Sequence, residues 1–167
     1  DLLVIEHTGA YGSSMSSNDN GGSRRSTLDK GKQAEKEVQK VLDALTSAHH
    51  DFKAMRMPDA HAARGFLAAM PSDYLAVFKG VTTFIEVKSS EQPTRLPKAK
   101  VSQYGYLKSF HLAGAKVLVI VHQPLLQRWV YLTNDDLFCY EDCPASFPLT
   151  NLPTFASAKE ALEDYFK

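Results

Sequence analysis

Residues Lys116-Val-Leu-Val-Ile-Val-His122 form a near-continuous apolar run of strand length. A strand with one wet face alternates apolar and polar residues. This one does not, which suits a central strand covered on both faces. Covering both faces takes helices on either side of a sheet, so the expected class is α/β. The chain has 167 residues. That is enough for one domain with a real core and short for two.

Periodicity and punctuation place the other elements around that strand. Ala34, Val38, Val41, Leu42 and Leu45 recur at helical spacing, so a helix is expected from about Thr27 to Ala48, capped by Thr27 or Asp29. Phe52–Met57 is a short candidate strand ended by Pro58. Tyr74–Phe78 and Thr82–Val87 are rich in apolar, aromatic and β-branched residues, and Lys79-Gly80 between them reads as a hairpin turn. A polar loop with two prolines covers Glu91–Pro97. Ala99–Ala113 reads as a second helix, with Val101, Tyr104, Leu107 and Phe110 on one side and Gly114 as its stop. Arg128–Thr133 is a further strand. Ser157-Ala-Lys-Glu160 opens a closing helix to Phe166 with a capping-box pattern. The Gly/Ser/Asn-rich stretch 9–26 has too little apolar surface to offset its ordering entropy. The expected division is a flexible arm over 1–26 and a single domain over 27–167.

Composition narrows the function classes. Apolar residues make up 44% and charged residues 23% of the chain, as in ordinary globular proteins. No apolar run reaches the roughly 18–20 residues of a membrane span. The stretch Asp1–Glu6 is too short for a secretory leader, so a cytoplasmic location is expected, in a bacterial or phage-infected cell. Cys139 and Cys143 stand without a second Cys/His pair nearby, which reads as two reduced thiols rather than a zinc site. The zero net charge hides an asymmetry. Gly21–Phe110 holds 15 Lys/Arg against 9 Asp/Glu, and Asp135–Lys167 holds 2 against 7. A basic body with an acidic end suits a surface that faces a polyanion on one side.

The chemistry concentrates in Pro71-Ser-Asp73-Tyr-Leu-Ala-Val-Phe-Lys-Gly-Val-Thr-Thr-Phe-Ile-Glu86-Val-Lys88. Residues two apart on a strand share a face, so Glu86 and Lys88 project together and Val87 turns into the core. The hairpin brings Asp73 back beside them. Two carboxylates at that range repel unless a cation lies between them. Mg²⁺ suits such a place, because it takes a few carboxylate oxygens, keeps several waters and binds substrate phosphate. Asp73 and Glu86 are the expected ligands, with the Val87 carbonyl as a further candidate. Lys88 is placed to orient a water or to steady charge building on a phosphate. A lone Glu-x-Lys pair is common on ordinary surfaces. Here the strand around it is strongly apolar (Phe84, Ile85, Val87), which sets the charges at the edge of a core.

This segment resembles the PD-(D/E)xK nuclease superfamily, with one residue inserted between Pro71 and Asp73. The resemblance runs from roughly Thr27 to Thr133. It implies a restriction-endonuclease-like αβββαβ core with a mixed central sheet flanked by helices. It also implies a metal-supporting Glu in the first helix, for which Gly31-Lys-Gln-Ala-Glu35 is similar, and a Gln near the site, for which Gln103 is the candidate. Within the superfamily the chain is most similar to Holliday-junction resolvases of RecU and Hjc type, on the Gly-x-x-x-Glu helix, Ser-Asp-Tyr before the hairpin, Glu-Val-Lys-Ser-Ser and the helix with Gln. That implies a homodimer cutting four-way DNA junctions with Mg²⁺, or Mn²⁺ in its place. A same-fold nuclease on linear duplex and a non-catalytic DNA-binding module are the alternatives.

The remaining residues are sorted by position. Arg24 and Arg25 at the end of the arm are expected to touch phosphate. Lys30, Lys32, Lys36 and Lys40 mark one side of the first helix, as phosphate contacts or as a solvated face. Arg95, Lys98 and Lys100 follow the catalytic strand, where DNA would pass. Arg64 lies in a small-residue loop suited to the centre of a branched substrate. Trp129 and Tyr131 read as packing. His49, His50, His61, His111 and His122 show no ligand spacing on a helix.

Overall fold

The computed structural model describes residues 21–58, 70–139 and 141–167, with side chains from Asp29 onward. Helix α1 covers Gly21–Ala48. Three antiparallel-linked strands follow: β1 (Phe52–Arg56), β2 (Tyr74–Phe78) and β3 (Val81–Ser89). After β4 (Arg95–Pro97) and a 3₁₀ turn at Lys98–Lys100 comes α2 (Tyr104–Leu112). Then come β5 (Lys116–Gln123), β6 (Arg128–Leu132), α3 (Asn134–Phe138), β7 (Ser146–Pro148) and α4 (Ala158–Tyr165). The main sheet has the order β1-β2-β3-β5-β6, and β4 pairs with β7 in a small second sheet. Only the β3·β5 pairing of the main sheet is parallel. The sheet is therefore mixed, and the expected αβββαβ succession is present as α1, β1, β2, β3, α2, β5.

Strand β5 is central in the way its sequence predicts. Leu118 and Ile120 pack with Ala34, Val38 and Leu42 of α1 and with Ala161 and Leu162 of α4. Val117, Val119 and Val121 face the other way, onto Leu107 of α2 and Leu137 of α3. All five are fully buried. Each such side chain stabilises by about 1.5–3 kcal/mol relative to leaving it exposed. The β2–β3 hairpin turns on Lys79 (φ 48) and Gly80 (φ 79). Two successive positive φ values match the twist of paired strands, and they fix the register Tyr74↔Ile85. Gly114 (φ 96) ends α2, with its N–H on the His111 carbonyl at 2.9 Å.

Three boundaries differ from expectation. Helix α1 already runs at Gly21, the first described residue, ahead of the expected start at Thr27. Gly and Ser cost at most about 1 kcal/mol each in a helix, and extending a formed helix needs no new nucleus. Residues 1–20 of the expected arm lie outside the described residues. The second helix starts at Tyr104, not Ala99. Lys98–Lys100 forms a 3₁₀ turn, and Val101 (φ −93, ψ 76) breaks it from α2. The polar loop after β3 contains β4, whose three residues become a strand only through β7.

Candidate active site

Asp73, Glu86 and Lys88 meet on one face of the sheet. The register Tyr74↔Ile85 sets Asp73 and Glu86 opposite each other, one step toward the open end of the hairpin. Tyr74, Ile85 and Val87 point into the α1–α4 layer and Phe84 into the α2–α3 layer. Strand alternation therefore sends Asp73, Glu86 and Lys88 to the α2 side. Asp73 Oδ2 accepts the Val87 N–H at 2.7 Å, so the carboxylate caps the ladder where β2 begins. A residue's N–H and carbonyl leave a strand on the same side. The Val87 carbonyl thus points to the Asp73 edge and away from β5, as does that of Ser89, which accepts from Lys100 Nζ at 3.2 Å.

Glu86 is only 3% exposed. Burial, reinforced by the neighbouring Asp73 carboxylate, pushes its pKa up to about 7 against the pull of Lys88. Lys88 Nζ stands 2.5 Å from Glu86 Oε1. Glu86 thus has Lys88 as its counter-charge, while Asp73 is held by the Val87 N–H. A divalent cation between the carboxylates would favour the charged form of Glu86. Asp73, Glu86 and the Val87 carbonyl are the oxygen donors on this face that could serve a divalent ion, with water completing its shell. Among the described residues no three His, Cys, Asp or Glu side chains gather as a ready metal cluster.

Glu35 lies on α1, against the other layer. Its carboxylate pairs with Arg56 at 3.0 Å and its carbonyl accepts the Tyr74 hydroxyl at 3.1 Å. The Tyr74 phenol, pushed to about 12 chiefly by burial, keeps its proton for that bond. Glu35 therefore ties α1 to β2, which starts next to Asp73, and it forms no three-member cluster with the two carboxylates. Gln103 is half-buried just before α2, where its carbonyl accepts the Leu107 N–H at 2.9 Å and its side chain makes no cap bond. Because Lys100 touches Ser89, the turn before α2 meets the end of β3 that follows Lys88.

The expected phosphate contacts divide. Lys30 pairs with Glu91 at 2.7 Å. Lys32, Lys36 and Lys40 are exposed on α1. Lys98 Nζ lies 4.9 Å from the Tyr104 ring centre. Arg95 is bound to Ser146, its Nε to Oγ at 2.6 Å, and clasps β4 to β7. Arg24 and Arg25 fall on the first turns of α1, with their side chains outside the described residues, and Arg64 lies outside them entirely. Trp129 is buried and stacks on His122 at 4.6 Å, so it is packing as expected. Cys139 and Cys143 are free.

The sequence reading missed the support behind the site. Gln123 is 1% exposed at the end of β5. Its Nε2 donates to the carbonyls of Gln92 (2.9 Å) and Pro93 (3.0 Å), and its Oε1 accepts from Arg128 at 2.7 Å. A Gln at the end of an apolar strand was the available signal.

No protein-family model matches the chain, and no curated protein matches it. Among solved structures, the chain is similar to that of Hjc from Archaeoglobus fulgidus, a Holliday junction resolvase from an archaeal hyperthermophile. The identity is 21% and the TM-score 0.45, over 70% of this chain and 88% of that one.

Proposed function

We propose that this chain is a metal-dependent endodeoxyribonuclease that hydrolyses phosphodiester bonds. The observation that carries the reading is the opposed Asp73 and Glu86 pair, with Glu86 buried and Lys88 on its oxygen. Burying a carboxylate beside a second one raises its energy without a return in packing. Such a pair suits a site that takes up a cation. Bound Mg²⁺ supplies a positive charge on the scissile phosphate and a more acidic water. Asp73 and Glu86 hold the ion, and the Val87 clasp fixes the angle of Asp73. Lys88, released from Glu86, donates to the water or to the phosphate oxygens as negative charge gathers there. Gln103 orients the phosphate from the α2 side.

The substrate in this proposal is a four-way DNA junction, cut by a homodimer. Its support is the set of resolvase-like segments: Gly31-Lys-Gln-Ala-Glu35, Ser72-Asp73-Tyr74, Glu86-Val-Lys-Ser-Ser90 and Gln103. The test is cleavage of a labelled junction beside a linear duplex of the same sequence, with Mg²⁺ or EDTA. Paired, Mg²⁺-dependent nicks on the junction alone are expected. Equal cutting of both DNAs would remove the junction claim and leave the nuclease.

A further inference from the structure

A second group of charges lies just past the catalytic row. Lys30, Ser89, Glu91, Gln92 and Lys100 line a cleft of about 250 Å³ at the end of β3. Lys30 enters from α1 and Lys100 from the 3₁₀ turn before α2, so the two ammonium groups arrive from opposite sides of the sheet. Glu91 stands with them. Its Oε1 accepts from Lys30 Nζ at 2.7 Å. That hydrogen bond, the Lys30 charge and the Lys100 charge together hold the Glu91 carboxyl below its ordinary range.

The floor of the cleft is hydrogen-bonded into the fold. Ser90 is buried, with its N–H on the His122 carbonyl at 2.9 Å. Buried Gln123 grips the carbonyls of Gln92 and Pro93. Lys100 is itself moored to the Ser89 carbonyl. Within this fixed frame the Glu91 side chain is exposed and rests on one exposed ion pair, a weak tie in water.

We propose that this cleft is a subsite for a backbone phosphate of the nucleic acid, and that Glu91 occupies it as a displaceable stand-in. A carboxylate and a phosphodiester are both anionic acceptors for an ammonium group, so one replaces the other without leaving Lys30 unpaired. The ligand named here rests on the nuclease reading. Ser89 is three residues past Glu86, roughly 10 Å along the strand. A phosphate held there lies a short way from the reacting bond. Glu91 then lowers the affinity for DNA and flattens its dependence on salt, because one lysine is already neutralised before DNA arrives.

The test measures binding of a labelled four-way junction in EDTA over a range of salt, for wild type, Glu91→Gln, Lys30→Ala, the double variant, and Glu141→Gln as an exposed acid elsewhere. Glu91→Gln is expected to bind about three- to tenfold tighter at low salt than Glu141→Gln. Its log–log salt slope should steepen by about 0.9, one phosphate's share. Adding Lys30→Ala should cancel the gain. A Glu91→Gln affinity equal to that of Glu141→Gln, or a gain that survives Lys30→Ala, overturns the subsite. Retention on heparin separates the two readings. Later elution of Glu91→Gln from heparin, with no DNA bound by any variant, keeps a polyanion subsite and sinks the nuclease. Unchanged elution and unchanged DNA affinity, with metal-dependent cutting intact, sinks the subsite alone.

Discussion

Glu86 carries a proton in the metal-free protein over a range where an ordinary glutamate has lost it. Its folded pKa, raised from 4.5 to about 7, sets the sign of a pH effect. Stability from this group is fully present below about pH 4.5 and is lost as pH rises through about 7. In EDTA the melting temperature should therefore fall between pH 5 and pH 8, and Glu86→Gln should flatten that fall and melt above wild type at pH 8. A Glu86→Gln curve parallel to wild type would contradict the burial argument. Under the proposed function, cation uptake would remove the same proton, so Mg²⁺ affinity should rise about tenfold per pH unit below 7, as read by titration calorimetry. Asp73, Glu86 and Lys88 were legible in the sequence because alternation and a two-residue turn fix who faces whom. The engagement of Glu35 with Arg56 was not, because it depends on how α1 lies across β1 and β2.

Elements hold the site at its ends rather than its centre. Gln123 at the end of β5 fixes the turn after β3 through three hydrogen bonds. Gln123→Ala leaves Arg128 and two backbone carbonyls without those bonds. It should cost about 2 kcal/mol in urea unfolding and lower cleavage with the far-UV spectrum unchanged. Full activity in that variant would remove Gln123 from the positioning of the site. Long periodic elements such as α1 and β5 could be read from sequence, since their own side chains define them. The β4·β7 pair could not, because strands of three residues with proline at an end exist only through each other. Helix α3 was missed although its signal is present. Thr133-Asn-Asp-Asp136 is a capping box, with Asp136 Oδ2 accepting the Thr133 N–H at 2.8 Å.

At the scale of the molecule, two helical layers cover one sheet, and the acidic pair lies between the start of β2 and the second half of β3. The sole tryptophan, Trp129, is buried against α4's layer. Its fluorescence should follow the same urea transition as the far-UV signal, and two separated transitions would divide the domain. The proposed homodimer should sediment at twice the 18.5 kDa of one chain, and a monomer at micromolar concentration would count against paired nicking. The most direct measurement is nicking of a labelled four-way junction in Mg²⁺ by wild type and Asp73→Asn. The asparagine keeps an oxygen for the Val87 N–H and removes the charge. Cutting by wild type, lost at least a thousandfold in Asp73→Asn with melting temperature retained, is the expected result. Undiminished cutting by Asp73→Asn, or none by wild type in any divalent metal, would contradict the assignment of this site.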